Sequence, residues 1–552
     1  MMSFNNWIET KSSTFSEKIF ISDGSKEITY AENYLTIKNI SQKINNFSCE
    51  NNHIVFFGDA SIEAYQLYFS VISANAIWVP ISYRLDSKII EKLLSNLKPA
   101  LIIYDGRSVK QDYLSDYTTI EITDLFEQQN NDKTLSNIKD FSEDKIISIY
   151  LTSGSTGLPK MVQHEWYATL HHAISTIDRY QFDSESCLFN PRQLFHVSGA
   201  FALTTLMHCG GRLVVPSIES FSMSMENKMA DWARLVRRLN VTHASFLPSE
   251  MHLYADFVNE NSLLHPPALK RITTGGEHVE LSDLIKVSRV FANNKFVYDR
   301  LWLTLYPYLG ENQLFMFLKA AYECVYGRLV QVTQTYGATE LICNAVANSS
   351  ISGPDMRGIG TALSSLFPEI INDEGIRLQN DGRGIGRLRF FGNSVAAGYR
   401  DVKNKMLTPH CYETNDLATI DGNGRVTLFG RKENLIKLPD VEEMINPVLL
   451  QREIKKIPDV KAVMVFEYGK KLHAAIRMEA YACEEKIMAS IKCNKECNLI
   501  MSVSFWDKFP LTLSGKVDSN QLIEKVKNNE TQVRDMRNVI NVSNQSRACV
   551  IF

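Results

Sequence analysis

Residues 152–160 run Thr152, Ser153, Gly154, Ser155, Thr156, Gly157, Leu158, Pro159, Lys160. Small hydroxyl residues and paired glycines let backbone N–H groups close around an anion, and Lys160 adds a point charge, so the chemistry on offer is phosphate binding. The run before it, Ile146 to Leu151, is short and apolar. That places the loop at the end of a buried strand, where phosphate loops sit in α/β folds. Pro159 stands where a Walker loop has glycine before its lysine, so the loop is of another kind. A solvated Gly/Ser turn is the plain alternative, and the specific order of residues argues against it.

Elements able to position such a loop are legible around it. Ile54-Val55-Phe56-Phe57, Ile77-Trp78-Val79-Pro80-Ile81 and Ala100-Leu101-Ile102-Ile103-Tyr104 read as buried strands, and Ala64 to Ala76 as an apolar helix. Short β-rich runs between helical stretches predict parallel α/β layers. Arg212 to Pro216 and Arg271 to Thr274 continue the pattern. From Ile385 to Arg400 the texture changes to strand and turn, and Asp421-Gly422-Asn423-Gly424 signals a hairpin. A smaller α/β unit follows, with strands expected at Lys461 to Phe466 and Leu472 to Ile476.

Length bounds the architecture: 552 residues exceed one hydrophobic core and predict two or three domains. Apolar content of 45%, charged content of 22% and a net charge of −3 fit an ordinary globular enzyme and exclude a basic nucleic-acid footprint. The ten cysteines are scattered; only Cys493 and Cys497 lie close, without a second ligand pair, and free thiols in a reducing compartment are expected. The N-terminus carries no signal-like pattern, and no run of roughly 18 apolar residues predicts a spanning helix.

Three ordered segments carry a family resemblance: Thr29-Tyr30-Ala31-Glu32, the 152–160 loop, and Pro510-Leu511-Thr512-Leu513-Ser514-Gly515-Lys516-Val517-Asp518. They resemble the adenylate-forming superfamily of acyl- and aryl-CoA synthetases, peptide-synthetase adenylation domains and beetle luciferases, over nearly the whole chain. The resemblance implies an α/β fold with a large N-terminal domain of layered α/β subdomains plus a β-rich subdomain. The expected boundaries are an adenylation core at 1–430, a hinge at 431–434, a small mobile α+β lid at 435–530 and a flexible tail at 531–552.

Residue roles follow from the same resemblance. In Thr335-Tyr336-Gly337-Ala338-Thr339-Glu340, it gives Tyr336 to adenine stacking, Thr339 to the α-phosphate and Glu340 to Mg²⁺. Thr274-Gly275-Gly276-Glu277 resembles the segment bordering adenine, a strand-end turn being its alternative. Asp416 matches the acid that accepts both ribose hydroxyls, with Asn415 in place of the usual glycine, and Arg431 matches the ribose-contacting arginine. Glu433 falls at the hinge position. Lys516 is given the central catalytic role, as the cation that offsets repulsion between the substrate carboxylate and the ATP α-phosphate.

Phe195-His196-Val197-Ser198-Gly199 corresponds to the segment that opens the acyl pocket, with His196 either a gate or a packed neighbour. No acid occurs between Gln193 and Cys209. An amino-acid substrate would therefore lack a counter-charge, and a fatty or aryl acid is favoured. Two departures stand out. An aromatic-rich insertion lies near 296–308, and the loop after Lys437, running Leu438-Pro439-Asp440-Val441-Glu442-Glu443-Met444-Ile445-Asn446-Pro447, lacks the family's glycine three residues on and has the proline that should follow it later. The expected function is an ATP- and Mg²⁺-dependent acid–CoA ligase. Transfer to a carrier protein or an amine is the first alternative, and a membrane-tethered binding protein without turnover the second. The ending Cys549-Val550-Ile551-Phe552 fits a prenylation pattern, which implies a cytoplasmic protein with weak membrane association when modified.

Overall fold

A computed structural model describes residues 2–47, 52–107, 114–127, 141–152, 159–276, 279, 281–291, 330–348, 358–400, 406–439, 441, 444–510, 517–528 and 530–538. The described chain forms two compact units. One is drawn from Met1–Glu369, Arg389–Thr414 and Ile420–Thr427, the other from Ile370–Leu388, Asn415–Thr419 and Leu428–Phe552.

In the first unit, the strands read from apolar runs form at their expected places. His53–Phe57 pairs in parallel with Ile77–Pro80 on one side and Leu101–Tyr104 on the other. All five residues of His53–Phe57 are buried, as a strand covered on both faces requires. Ile146–Thr152 joins this sheet in parallel beside Ile77–Pro80. A second sheet carries a parallel series in the order Ile19–Ser22, Arg212–Val214, Cys187–Phe189, His243–Phe246, Arg271–Gly275 and Gln331–Ala338. Cys343–Ala347 then turns back antiparallel on the last of these. The hairpin signal at Asp421 to Gly424 holds: Asp421 N–H donates to the Arg425 carbonyl at 3.0 Å, and Gly424 has a φ of +76°.

One expectation is refined. The strand Ile146–Thr152 is followed across the loop by an antiparallel strand, Lys160–Glu165, with Thr152 opposite Lys160. Only then comes the helix Trp166–Tyr180. The helix thus begins six residues beyond Lys160, at the far end of that strand. The helix Phe4–Thr14, for which no pattern was read in the sequence, packs Phe4 and Trp7 on Trp166 at ring separations of 5.0 and 4.9 Å. Its buried residues Phe4, Trp7, Ile8 and Ser12 keep helical spacing, but three apolar side chains make too short a stripe to announce the helix.

The Thr29–Glu32 segment has a mechanical explanation. Thr29 caps the helix Tyr30–Asn45, accepting from Glu32 N–H, while the Glu32 carboxylate accepts from Thr29 N–H at 2.8 Å. Tyr30 is fully buried, and its hydroxyl contacts the carbonyls of Leu206 (2.9 Å) and Gly211 (2.6 Å), at the end of the helix Val197–Cys209.

Two buried imidazoles, His164 on the strand Lys160–Glu165 and His172 on the helix after it, reach the hairpin formed by Gln331–Ala338 and Cys343–Ala347. His164 Nε2 bonds the Thr339 carbonyl at 2.8 Å, and His172 Nε2 bonds the Asn344 carbonyl at 3.1 Å. Arg179 adds donors to the carbonyls of Ala347 (3.1 Å) and Ala362 (2.6 Å) and to the Thr361 hydroxyl (3.0 Å).

The second unit holds a sheet in the order Val460–Tyr468, Lys471–Met478, Ile500–Trp506 and Val533–Asp535, with the helices Pro447–Lys455, Glu484–Cys493 and Ser519–Lys527. Its centre contains His473, fully buried between the hydroxyls of Ser502 (2.9 Å) and Ser504 (2.8 Å). No helix among the described residues is long and apolar enough to cross a membrane.

Two outcomes follow. Burial lowers His164, His172 and His473 from an ordinary value of 6.5 to about 4. The folded state keeps these rings neutral while the unfolded chain takes up protons, so their stability contribution is complete above pH 6.5 and lost as pH falls toward 4. Each contributes a slope approaching roughly 1.4 kcal/mol per pH unit within that window. Thermal midpoints measured from pH 7 to pH 5, where most carboxylates stay ionised, should fall steadily; a flat profile refutes this. Separately, Thr29→Ala removes one half of the capping box and should cost about 1 kcal/mol in urea unfolding.

Candidate active site

The hairpin that carries residues 152–160 is described at its two ends. Thr152 closes one strand and Lys160 opens the next; Ser153, Gly154, Ser155, Thr156 and Gly157 lie outside the described residues. The Lys160 ammonium sits 5.1 Å from the ring centroid of Tyr399.

The Tyr336–Glu340 motif lies where the strand Gln331–Ala338 passes into a tight turn, Thr339–Leu341. Gly337 is required by packing, since a Cβ would run into the Cys343 carbonyl across the hairpin. The turn ends on Ile342, a β-branched residue with a φ of +65°, a costly conformation that tends to persist where the surroundings impose it. Glu340 is only 7% exposed. Its carboxylate accepts from the Tyr399 hydroxyl at 2.7 Å, and its backbone carbonyl accepts from Ala396 N–H at 2.9 Å. Burial first, and the Glu340 charge second, raise the Tyr399 hydroxyl well above the ordinary tyrosine value. It therefore remains a donor. Tyr336 is half-buried and stacks on Phe390 at 6.2 Å with a 21° interplanar angle.

Gly275 stands beside Thr335 at the C-terminal ends of neighbouring parallel strands, and a Cβ there would collide with the Thr335 side chain. Gly276 follows with a φ of +88°. Glu277 lies outside the described residues. The structure thus brings Thr339, Glu340, Tyr336, Gly337, Gly275 and Gly276 onto two adjacent strand ends, the edge at which open α/β sheets bind ligands.

His196 is exposed at the N-cap of the helix Val197–Cys209, its ring 4.8 Å from that of Phe195. Gly199 is buried, with no room for a Cβ beneath the Gln193 carbonyl. The loop before the helix is pinned by polar contacts that the sequence did not announce. Gln193 donates to Asp59 (2.9 Å) and accepts from Ala60 N–H (2.8 Å). Asp59 also accepts from Tyr83 (3.0 Å) and pairs with Arg84 (3.2 Å). Arg192 pairs with Glu250, which also accepts from Leu247 N–H at 2.9 Å. Both acids beside this loop are therefore already engaged.

In the second unit, Arg431 Nε lies 3.5 Å from Asp416 Oδ1, and Arg431 Nη1 donates to Glu433 at 3.2 Å. The Ile436 and Ile445 backbones exchange hydrogen bonds at 2.8 Å in both directions, closing the base of the loop after Lys437. Asn446 anchors that loop: it donates to the Phe429 carbonyl and caps the helix Pro447–Lys455 by accepting from Val448 N–H. Asp518 N–H donates to the Pro510 carbonyl at 2.8 Å, joining the two ends of the segment that contains Lys516. Asp518 also caps the helix Ser519–Lys527. Lys516 itself, the 296–308 insertion and Cys549 lie outside the described residues.

Sequence reasoning missed Tyr399, His164 and Gln193. No motif marks them; each matters because tertiary pairing sets it against a residue far along the chain.

The chain is similar to proteins of known family and fold. Residues 8–304, more than half of the chain, match the AMP-binding enzyme family. The 4-hydroxybutyrate–CoA ligase 2 of Metallosphaera sedula is 22% identical over 515 residues, which cover 84% of this chain and 83% of that one. Gramicidin S synthase 2 of Brevibacillus brevis is 22% identical over 529 residues, 90% of this chain but 10% of that protein. Among solved structures, the O-succinylbenzoate CoA synthetase of Bacillus subtilis, in complex with ATP and magnesium ion, superposes with a TM-score of 0.74 at 19% identity. That match covers 94% of this chain and 99% of the other. The chain belongs to the AMP-binding enzyme family.

Proposed function

We propose that this protein activates a non-amino carboxylic acid with ATP and passes the acyl group to the thiol of CoA. The observation that carries the reading is the convergence of Lys160, Thr339, Glu340, Tyr336 and Gly275 on one edge of the first unit, in a family of AMP-binding enzymes. The acid carboxylate attacks the ATP α-phosphorus and pyrophosphate departs. The CoA thiol then attacks the acyl carbonyl, releasing AMP. Tyr336 and the Gly275–Gly276 backbone take the adenine, Asp416 and Arg431 the ribose, and the 152–160 loop the phosphates. Thr339 is assigned to the α-phosphate. Lys516 is assigned to the charge that builds there.

Glu340 fits Mg²⁺. It is a buried hard-oxygen ligand, and one oxygen is committed to Tyr399. Mg²⁺ keeps several of its waters and binds through one or two carboxylates and substrate phosphates, so a single carboxylate of this kind is enough. Bound there, Mg²⁺ would offset phosphate charge.

Two features support a fatty or aryl acid. The helix Val197–Cys209 is apolar and largely buried. The nearby acids Asp59 and Glu250 are held by arginines, so neither is left as a counter-charge for an ammonium group. The M. sedula and B. subtilis relatives, both named for CoA ligation, favour CoA as the acceptor. The loop after Lys437 departs from the family pattern, and transfer to a carrier protein or amine is the second reading.

Pyrophosphate release across a panel of fatty, aryl and amino acids tests the proposal. Release should require ATP, Mg²⁺ and a fatty or aryl acid, and Lys516→Ala should reduce it by about 100-fold or more. Silence with every acid refutes activation. Pyrophosphate release without stoichiometric CoA consumption refutes CoA as the acceptor and leaves activation standing.

A further inference from the structure

Between Lys160 and Glu340 stands a side chain to which the proposed reaction gives no role. Tyr399 turns its ring toward the Lys160 ammonium at 5.1 Å and donates its hydroxyl to Glu340 Oε1 at 2.7 Å. Its backbone is fixed by the same two partners. Tyr399 pairs with Val162 on the strand that Lys160 opens, with Ala397 N–H donating to Gln163 (3.0 Å) and Arg400 N–H to Met161 (2.9 Å). Three residues earlier, Ala396 N–H holds the Glu340 carbonyl.

We infer that Tyr399 is a positioning residue that keeps Lys160 and Glu340 apart and orients each for ATP and its metal ion. The inference rests on the proposed roles of Glu340 and the 152–160 loop. Opposite charges so placed, in a half-buried setting, would attract each other strongly if nothing intervened. Among the described residues no ion pair joins Lys160 to Glu340. The aromatic ring occupies the gap. A cation over a ring is held weakly enough to be surrendered to a phosphate, whereas a direct carboxylate contact would neutralise both groups. The hydroxyl acts on the other side: it satisfies Oε1 and fixes the carboxylate plane, leaving Oε2 for the ion. Ring and hydroxyl thus have separable duties.

Calorimetric titration of ATP, with and without Mg²⁺, separates them without any catalytic readout. Tyr399→Phe keeps the ring and loses the hydroxyl. It should bind metal-free ATP like the wild type but lose about fivefold or more of the affinity gained on adding Mg²⁺. Tyr399→Ala loses both, and its affinity for metal-free ATP should fall as well, because Lys160 closes onto Glu340. Thermal midpoints within a few degrees of wild type in Tyr399→Phe establish that the loss is not one of folding. If the wild type gains affinity from Mg²⁺ and Tyr399→Phe gains as much, the Tyr399 role is overturned alone. If the wild type binds ATP with no response to Mg²⁺, the metal role of Glu340 falls and takes this inference with it. If the wild type binds no ATP, the proposed function fails first.

Discussion

A buried carboxylate has to be satisfied by the fold that buries it, and Glu340 imposes that condition on the first unit. At 7% exposure it meets little water, and a buried charge left unpaired costs several kcal/mol. The Tyr399 hydroxyl meets the requirement for one oxygen. That in turn fixes where residues 396–400 must run, against the strand Lys160–Glu165 on one side and the Thr339–Leu341 turn on the other. His164 closes the circuit from that strand to the Thr339 carbonyl. Segments near positions 160, 340 and 400 are therefore locked by side-chain and backbone bonds that each depend on the others, and cooperative networks of this kind specify one arrangement.

What the sequence disclosed and what it withheld divide along a physical line. Local chemistry was readable. The glycines and hydroxyls of 152–160, the strand runs at 53–57 and 101–104 and the Asp421–Gly424 turn each announce themselves within a few residues. Gly337 and Gly275 were picked up through family resemblance, and the structure supplies the reason: neighbouring strands leave no space for a side chain. Tyr399 could not be read this way. It is one of 22 tyrosines, and only the antiparallel pairing with Val162 turns it toward Lys160 and Glu340. The same holds for Gln193, whose two bonds to Asp59 and Ala60 cross more than a hundred positions of sequence. The strand after the phosphate loop was also hidden, because a short mixed run such as Lys160 to Glu165 does not separate strand from helix.

Charge placement around the loop before the helix Val197–Cys209 has a similar logic. The absence of an acid on the helix Val197–Cys209 was visible in the sequence. That Asp59 and Glu250 approach the loop from elsewhere was not. Each is bound by an arginine and by further donors, so the loop is braced by charge pairs. For Arg192 and Glu250, whose side chains are both largely buried, removing one partner is far more damaging than exchanging both, because the remaining charge stays buried. The loop's position is thus tied to residues that need not touch a substrate.

Ile342 carries a consequence of a different order. Its left-handed backbone, unusual for a branched side chain, is held because that side chain is 2% exposed and packed in the core. Strain and burial there oppose each other in one residue. A glycine at this position would relax the backbone and release the anchor together, trading a turn of one shape for a turn of many. The entropy of ordering Thr339 and Glu340 is then settled once, during folding, and the turn carries that cost in its own core packing rather than leaving it to any later contact.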